Sequence, residues 1–373
     1  MKVALVVPGG VDRSGERRVI PALLWIIERL ARTHEVHVFA LYQDEAPSRY
    51  SLLGATVHSM GRRGARARVL AAIAAEHWRR PFALFHAFWA TPPGVIAALA
   101  GSVLRRPVLL HLAGGELVAL PDIDYGGSRS ARGRLWVRLA LWRATRVTAA
   151  SSGMIEAAAR VGARPTGLPL GVDLRRWPPR PPRPRAPGSP ARLVHVGSLN
   201  RVKDQATLLR AGAALAGTSQ AFSLQIIGED TMGGEMQALA RTLGLGDRVV
   251  FAGMVPHPEL YHHLAGADLA LVSSRHEAGP LVVREAAVAG VPTVGTAVGH
   301  IRDWAPDAAV AVPVGDWQAL ARETALILAD EPRRLRVAAA AQALAVREDA
   351  DWTAQRLLAI YDELTQPALA HHA

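Results

Sequence analysis

Short apolar runs alternate along this chain with stretches of helical periodicity, and halfway along the alternation begins again. Val3–Val7 reads as a buried strand, Arg18–Leu30 carries a helical apolar face, and Glu35–Ala40 reads as the next strand. The order resumes at Leu193–Val196, where Gly197 closes a strand and Ala206–Leu215 follows as a helix. Further strands are predicted over Ser223–Ile227, Arg248–Phe251, Leu269–Val272 and Thr293–Gly295. Strands that are apolar on both faces and joined by helices form parallel sheets. The expected class is therefore α/β, with two Rossmann-like doubly wound domains.

Between the halves, Arg175–Pro190 holds seven Pro in sixteen residues. Proline fixes φ and offers no N–H, so this stretch is expected to be extended and semi-rigid, a hinge that joins neither core. The same composition would suit a ligand of a proline-recognising domain, but a hinge between two doubly wound domains is the simpler reading. The expected division is residues 1–172, a linker at 173–190, a second domain at 191–350, and a helix with a tail at 351–373. Trp352, Leu357, Leu358, Ile360 and Tyr361 give that helix an apolar side, and His371 and His372 are expected in a disordered end.

With 373 residues, half of them hydrophobic, the chain can bury sizeable cores, which excludes a disordered or fibrous protein. The absence of Cys excludes a disulfide scaffold, a Cys-ligated zinc site and a thiolate nucleophile, and it suits a reducing compartment. The opening apolar run is too short for a signal peptide. Ala83–Leu104 lacks charged residues and is long enough to suggest a membrane span, but Pro92-Pro93-Gly94 divides it. A strand over Ala83–Phe88 and a helix over Val95–Leu104 fit better, and the protein is expected to be soluble and cytoplasmic, with peripheral contact at the inner membrane face. Charge is uneven. Residues 1–172 carry 23 basic and 11 acidic side chains, residues 191–373 carry 15 and 20, and all but Lys2 and Lys203 of the basic residues are Arg. A basic front half points to anionic partners.

The stretch Val272–Thr296 carries the densest chemistry. A strand ends, a polar loop follows, and a helix is predicted from Leu281 to Ala289 before Gly290 and Pro292 stop it. Backbone N–H groups at that helix start favour an anion such as a diphosphate. Glu277 lies in the loop and Glu285 eight residues on; a carboxylate can accept two vicinal hydroxyls at once. Taken alone, the pair reads better as a helix cap at Glu277 and a surface residue at Glu285. At Leu193–Asp204 a second strand ends in Gly197, and its loop carries Arg201 and Lys203. Loops at the carboxyl ends of parallel strands are where such sheets bind ligands, and a compact ammonium meets phosphate as a point charge.

The glutamate–seven residues–glutamate spacing at Glu277 and Glu285, the surrounding "FAGMVPHPELYHHLAGADLALVSSRHEAGPLVVREAAVAGVPTVGTAVG" and the Arg201–Lys203 loop together resemble the retaining glycosyltransferases of family four, which have the GT-B fold. Ser14-Gly15-Glu16-Arg17, Gly114-Gly115-Glu116 and Gly171-Val172-Asp173 extend the likeness more loosely to the front half. The resemblance implies a transferase in which two Rossmann-like domains face a cleft and move a sugar from a nucleotide-diphosphate sugar to a hydroxyl acceptor, without a metal or cofactor. It assigns Arg201 and Lys203 to the diphosphate, Glu277 to the donor sugar and Glu285 to the ribose. Gly279 and Leu281 would hold phosphate oxygens, and Gly253, Met254 and Val255 would line the base pocket. Gly197 and Gly15 join the donor side. Two departures stand out: Ser198 occupies a position where many members have Arg, and Pro280 lacks an N–H.

The family's His-Gly motif is replaced by Ala113-Gly114; His111, two residues earlier, and Glu116 are the acceptor-side candidates, and Glu116 reads equally well as a contact to the acceptor or donor sugar and as a structural residue. Asp122-Ile123-Asp124 matches a metal-binding Asp-x-Asp pair in three residues only, and His257, His262 and His263 lack a completing carboxylate or Cys; these histidines read as helix-surface residues and no metal is expected. Arg129–Arg146 interleaves six Arg with Leu135, Trp136, Leu139 and Trp142, and Arg62–Arg80 is a second basic helix. Both suit an anionic membrane surface or a lipid-linked acceptor; a core-packed helix with a solvated basic face is the alternative. Nucleic acid is not expected. The rival functions are a nucleotide-sugar epimerase or sugar phosphorylase on the same fold and, from another class, a non-catalytic basic membrane- or nucleic-acid-binding protein.

Overall fold

A computed structural model describes residues 1–366 apart from Pro187 and Ser219; His371 and His372 lie outside the described residues. The chain forms two compact units, one of Met1–Pro169 together with the residues from Ala350 onward, the other of Leu170–Asp349.

The first unit is built on eight strands: β1 (Lys2–Val7), β2 (Glu35–Ala40), β3 (Ser48–Leu52), β4 (Ala55–Ser59), β5 (Leu84–Phe88), β6 (Val108–Leu112), β7 (Arg146–Ala149) and β8 (Thr166–Gly167). They run in the order β3-β4-β2-β1-β5-β6-β7-β8, parallel except for the β3–β4 pair. Its first five helices are α1 (Pro21–Leu30), α2 (Ala65–Arg79), α3 (Val95–Leu104), α4 (Ala131–Arg143) and α5 (Ser152–Ala159). Val3–Val7 is buried throughout, as a strand covered on both faces must be. The helix expected from Arg18 starts at Pro21, because residues 10–20 fold back on themselves: Ile20 N–H donates to the Gly10 carbonyl and Val11 bridges Val19. Chain connections from β1 to β2 and from β5 to β6 step in opposite directions across the sheet. Right-handed crossovers therefore put α1 on one face and α3 on the other.

The second unit has six parallel strands: β9 (Ala191–Val196), β10 (Phe222–Ile227), β11 (Val249–Gly253), β12 (Leu269–Val272), β13 (Thr293–Thr296) and β14 (Val310–Val312). Their order is β11-β10-β9-β12-β13-β14, so the chain fills one side of the sheet and then returns to fill the other. The reversal falls between β9 and β12, where Leu193 pairs with Leu269. Helices α6 (Gln205–Ala216), α7 (Glu235–Thr242), α8 (His257–Gly266), α9 (Leu281–Val288), α10 (Gly299–Trp304), α11 (Trp317–Ala329) and α12 (Glu331–Arg347) cover it. Leu193, Ile226, Leu269 and Val294 meet Leu208 and Leu320 in a contiguous core.

The last helix, α13 (Ala350–Thr365), belongs to the first unit, where it packs on α1 and β5. Tyr361 is buried with its hydroxyl 2.7 Å from His86 Nδ1, and Arg29 Nε meets Asp351 Oδ1 at 2.5 Å. No described helix is long and apolar enough to cross a membrane, and Ala83–Leu104 is divided between β5, a turn and α3.

The proline-rich stretch departs from the expectation that it joins neither core. Trp177 is buried within the second unit, stacked on His257 at 5.0 Å between ring centroids and edge-on to Tyr261. Proline removes an N–H but keeps its carbonyl, and the carbonyls here take side-chain donors. Tyr261 donates to Pro178 O at 2.7 Å, Gln342 to Arg180 O at 2.6 Å and Arg334 to Arg183 O at 2.7 Å. Arg183 in turn reaches Asp268 Oδ1 at 3.3 Å. The segment is a strap fastened to the second unit. Trp177→Ala should lower stability by about 3–5 kcal/mol, the cost of emptying a large aromatic site. Trp78, 81% exposed, should stay within about 0.5 kcal/mol of wild type on the same substitution. Chemical unfolding of the two variants checks both values.

Candidate functional site

Where a doubly wound sheet reverses its strand order, adjacent loops diverge and leave a crevice at the strands' carboxyl ends. In the second unit that crevice lies between β9 and β12, and the loops after these two strands carry Lys203 and Glu277. The two side chains meet there, Lys203 Nζ to Glu277 Oε1 at 2.5 Å. Ser274 Oγ donates to the same carboxylate oxygen at 2.7 Å. Both contacts use Oε1, which leaves Oε2 to accept hydroxyl protons. Lys203 is held from below: its N–H donates to Asn200 Oδ1 at 3.0 Å, and Ser273 Oγ donates to its carbonyl at 2.8 Å. Gly197 makes room for the lysine stem, since a Cβ there would stand 3.3 Å from Lys203 Cε.

Helix starts around the crevice differ in their capping. Asp204 caps α6, accepting from Thr207 N–H, so a carboxylate already occupies that position. No side chain caps α9, which begins after Pro280 directly beyond the Glu277 loop. Its first N–H groups and its dipole are thereby available to an anion. Gly299, at the start of α10, packs against this loop: its φ is +48°, and a Cβ would come within 2.5 Å of Pro280 Cδ. A side chain at residue 299 would displace the loop that holds Glu277.

The other candidates fall around this pair. Glu285 is buried on α9 and its Oε1 lies 2.7 Å from His257 Nε2. His257 is thus no mere helix-surface residue; it stands at the head of α8 between Glu285 and Trp177. Gly253, Met254 and Val255 form the turn from β11 to α8, with Met254 62% exposed. Arg201 points elsewhere: its guanidinium is 61% exposed and pairs with Glu235 at 3.6 Å. Such an exposed pair is worth at most about 1 kcal/mol, so it opposes a change of partner only weakly.

A layer of buried polar groups supports the loops and was not singled out from the sequence. Thr296 Oγ1 donates to Ser274 O at 2.6 Å, and Gln205 Nε2 donates to Ser198 O at 3.1 Å. His195, buried in β9, lies 2.9 Å from Leu271 O through Nδ1 and 3.2 Å from Gln205 through Nε2. Burial depresses His195 to about 4, so the ring is neutral at pH 7 and ties β9 to β12 beneath the crevice. The signal available was the Ser273-Ser274 pair directly after a strand, a position where hydroxyls hold loops rather than fill a core.

In the first unit, Gly15 sits in the turn after β1 with φ at +69°, and its N–H donates to Asp12 O at 2.9 Å. Asp12 also receives Ser14 N–H and pairs with Arg18 at 2.5 Å. His111 does not serve as an acceptor contact. It is fully buried on β6, 2.9 Å from Thr148 Oγ1, and burial depresses it to about 3. All five residues of β6 are buried, since the parallel sheet is covered on both faces, and a motif count does not register that. Glu116 is buried as well. Its Oε1 accepts the N–H groups of Ala90 and Ala113 at 3.3 and 3.2 Å, which fastens two loops together, and burial raises its pKa. Asp124 pairs with Arg129.

Two Rossmann-like units of this topology, with a charged pair at the switch point of the second, define the GT-B class of fold. Across 98% of the chain the fold matches sucrose-phosphate synthase from Thermosynechococcus elongatus at TM-score 0.81 and 19% identity, over 99% of that chain. It matches Anabaena HepE in complex with UDP and glucose at TM-score 0.75 and 20% identity, over 98% of this chain and all of that one. Residues 19–171 fit the glycosyl transferase 4-like domain and residues 180–344 the glycosyl transferases group 1 family. Together the two segments take in most of the chain, which belongs to the family-four glycosyltransferases. Among relatives, the D-inositol 3-phosphate glycosyltransferase of Thermomonospora curvata is 32% identical over 51% of this chain and 49% of that protein. The one from Xylanimonas cellulosilytica is 36% identical over 37% of this chain and 34% of its own. The match thus spans a third to a half of these curated relatives' length.

The His195 tie carries a pH signature. Its folded pKa lies below that of an unfolded histidine, so the unfolded chain binds more protons between about pH 6.5 and 4. The contribution is complete above that window and is lost as pH falls through it. From pH 7 to pH 5 this single group should remove about 2 kcal/mol of stability. His195→Gln should unfold with a correspondingly shallower acid dependence in chemical denaturation at the two pH values.

Proposed function

We propose that the chain is a retaining glycosyltransferase moving a sugar from a nucleotide-diphosphate sugar to a hydroxyl of a glycan, glycolipid or lipid-linked acceptor. The observation that carries this reading is the Lys203–Glu277 pair spanning the β9–β12 switch point, directly before the uncapped start of α9. Retention of anomeric configuration is carried over from the family.

As the glycosidic bond to the donor phosphate breaks, negative charge gathers on the departing diphosphate. Lys203, one quarter exposed at its side chain, can turn an N–H toward that oxygen while Glu277 remains beside it. Leu281 N–H at the α9 start, with Gly279 before it, supplies fixed dipoles aimed at the same charge. Arg201 joins them by leaving Glu235. These groups provide the positive charge that a divalent cation would otherwise contribute, so no metal enters the scheme. Glu277 Oε2 accepts donor-sugar hydroxyls, and Ser274 and Lys203 fix the carboxylate's orientation. Glu285, oriented by His257, accepts the ribose hydroxyls, and the base lies against Gly253, Met254 and Val255. Pro280 supplies no N–H, which places more of the phosphate's hydrogen bonding on Leu281 and on the two cations.

HepE, of the same fold, has been crystallised with UDP and glucose, so UDP-sugars are the first donors to test. Thermal unfolding with UDP, GDP and ADP and their sugars should single out one base by a raised midpoint. With that donor and an added acceptor, Lys203→Ala and Glu277→Gln should each lower kcat/KM about a hundred- to a thousand-fold, the usual loss for a preorganised charge-stabilising group. Arg201→Ala should cost roughly ten-fold less than either, in keeping with its exposure. Turnover should persist in EDTA. A Lys203→Ala/Glu277→Gln protein that transferred sugar at the normal rate would defeat the assignment. Isomerised donor, or sugar phosphate formed from added phosphate, in place of a glycosylated acceptor would defeat the reaction class.

A further inference from the structure

We propose that the face of the first unit formed by α2, α3 and α4 docks on an anionic lipid bilayer, with the notch between α3 and α4 receiving a lipid phosphate. The three helices are consecutive neighbours, α2 packing on α3 and α3 on α4. Among the described residues thirteen large hydrophobic side chains are exposed, and seven of them stand on these three helices. Trp78, Val103, Leu135 and Trp142 are 81, 79, 64 and 73% exposed, against which the protein's own packing offers nothing. Leu99 and Val103 are four residues apart and Leu135 and Trp142 seven, spacings that bring each pair onto one side of its helix. Exposed apolar residues scattered singly need no explanation; a cluster on adjacent helices does.

The charge pattern selects the partner. Residues 62–80, 95–107 and 129–146 contain fourteen Arg and one acidic residue, Glu76, which is buried. Exposed carboxylates of neighbouring segments pair with Arg62, Arg80, Arg129 and Arg146 at the ends of these stretches, and the remaining arginines leave the face net positive. Between α3 and α4, a notch of about 420 Å³ is lined by Ser102, Arg106, Trp142 and Arg143. Arg143 lies over the Trp142 ring at 4.4 Å and donates to Ser102 Oγ at 3.2 Å, so its planar fork is held at the notch. Two guanidinium groups around a small polar recess suit a phosphate, which they can grip bidentately. Tryptophan beside arginine is the pairing found at the level of lipid headgroups, where the ring is half in hydrocarbon and the charge stays wet. Nucleic acid would also meet positive charge, but Leu99, Val103 and Leu135 gain nothing from phosphates or base edges. Aliphatic side chains are satisfied at an acyl-chain boundary. This inference is independent of the donor site, since it concerns a different unit and a different ligand.

Flotation of the full chain with vesicles tests it. The protein should float with phosphatidylcholine vesicles containing phosphatidylglycerol and remain behind with phosphatidylcholine alone, and binding should weaken as salt is raised. Arg106→Ala/Arg143→Ala should weaken binding roughly thirty-fold, the equivalent of two surface charges at about 1 kcal/mol each. Brominated lipids should quench part of the tryptophan fluorescence, and Trp142→Phe should remove a share of that quenching. Val103→Asp, a single exposed change, should also reduce flotation while leaving the thermal midpoint unchanged. Arg241→Ala/Arg248→Ala in the second unit serves as the control and should bind as wild type. Failure to float, an equal loss in the control pair, or retention on an oligonucleotide without vesicle binding would each overturn the proposal.

Discussion

One ion pair joins the two loops of the second unit's crevice. Lys203 and Glu277 arrive from loops seventy-four residues apart, and they meet because the chain reverses its strand order between β9 and β12. The pair satisfies two charges in a crevice that would otherwise have to solvate each separately. Removing one partner leaves the other half-buried and uncompensated, which is why the surrounding hydroxyls are arranged as they are. Ser274 shares the carboxylate oxygen with the ammonium, Ser273 holds the lysine's own carbonyl, and Thr296 holds the carbonyl of Ser274. Each hydrogen bond contributes about 1 kcal/mol at best, yet together they fix the loops to a geometry that neither would keep alone.

Those loops rest on a layer that is itself polar where a core would usually be apolar. His195 sits next to the carboxyl end of β9, buried, and bridges to the β12 backbone and to Gln205. Burial keeps it neutral, so one ring nitrogen donates while the other accepts, and the strand pair beneath the crevice is tied by a group that carries no charge. The glycines nearby serve the same end. Gly197 lets the lysine stem lie flat, and Gly299 lets α10 close against Pro280, so the absence of two side chains helps to place one carboxylate.

Much of this was legible in the sequence because it depends on local order. β2, β10 and β12 occupy Glu35–Ala40, a range including Ser223–Ile227, and Leu269–Val272, as the apolar runs imply, and the last helix begins at Ala350, one residue before its expected start. Lys203 is the one lysine beyond the N-terminus and lies in a strand-end loop, while Glu277 is singled out by the resemblance carried in the glutamate–seven residues–glutamate spacing. What the sequence could not convey was partnership across distance. His257 reads as a surface residue in sequence since its carboxylate lies twenty-eight positions away, and His111 reads as available because a count of motifs does not register that both faces of its strand are covered. The proline-rich strap failed for a related reason: Trp177 is a core residue embedded in a composition that forbids cores. Proline disqualifies a segment from donating to a ladder, not from being held by its carbonyls.

The distribution of charge is the last constraint to reconcile. Residues 191–373 carry 15 basic and 20 acidic side chains, yet this is the half proposed to hold a diphosphate. Net charge decides little at such a site, because exposed charges further away than about 8–10 Å are screened at physiological salt. The proposed site offers one ammonium and an uncapped helix start at the switch point, with a guanidinium now paired to Glu235 that would have to change partners to join them. The excess of positive charge in residues 1–172 is spent differently. On α2, α3 and α4 it lies beside exposed aliphatic and indole surface, where it acts over an area rather than at a point. A single phosphate is gripped by a few aimed groups; a membrane is met by many that need no aim. The two proposals thus ask arginine for two kinds of anion recognition in one chain, and they give Lys203, the one lysine outside the N-terminus, the position where a compact charge suits a phosphate.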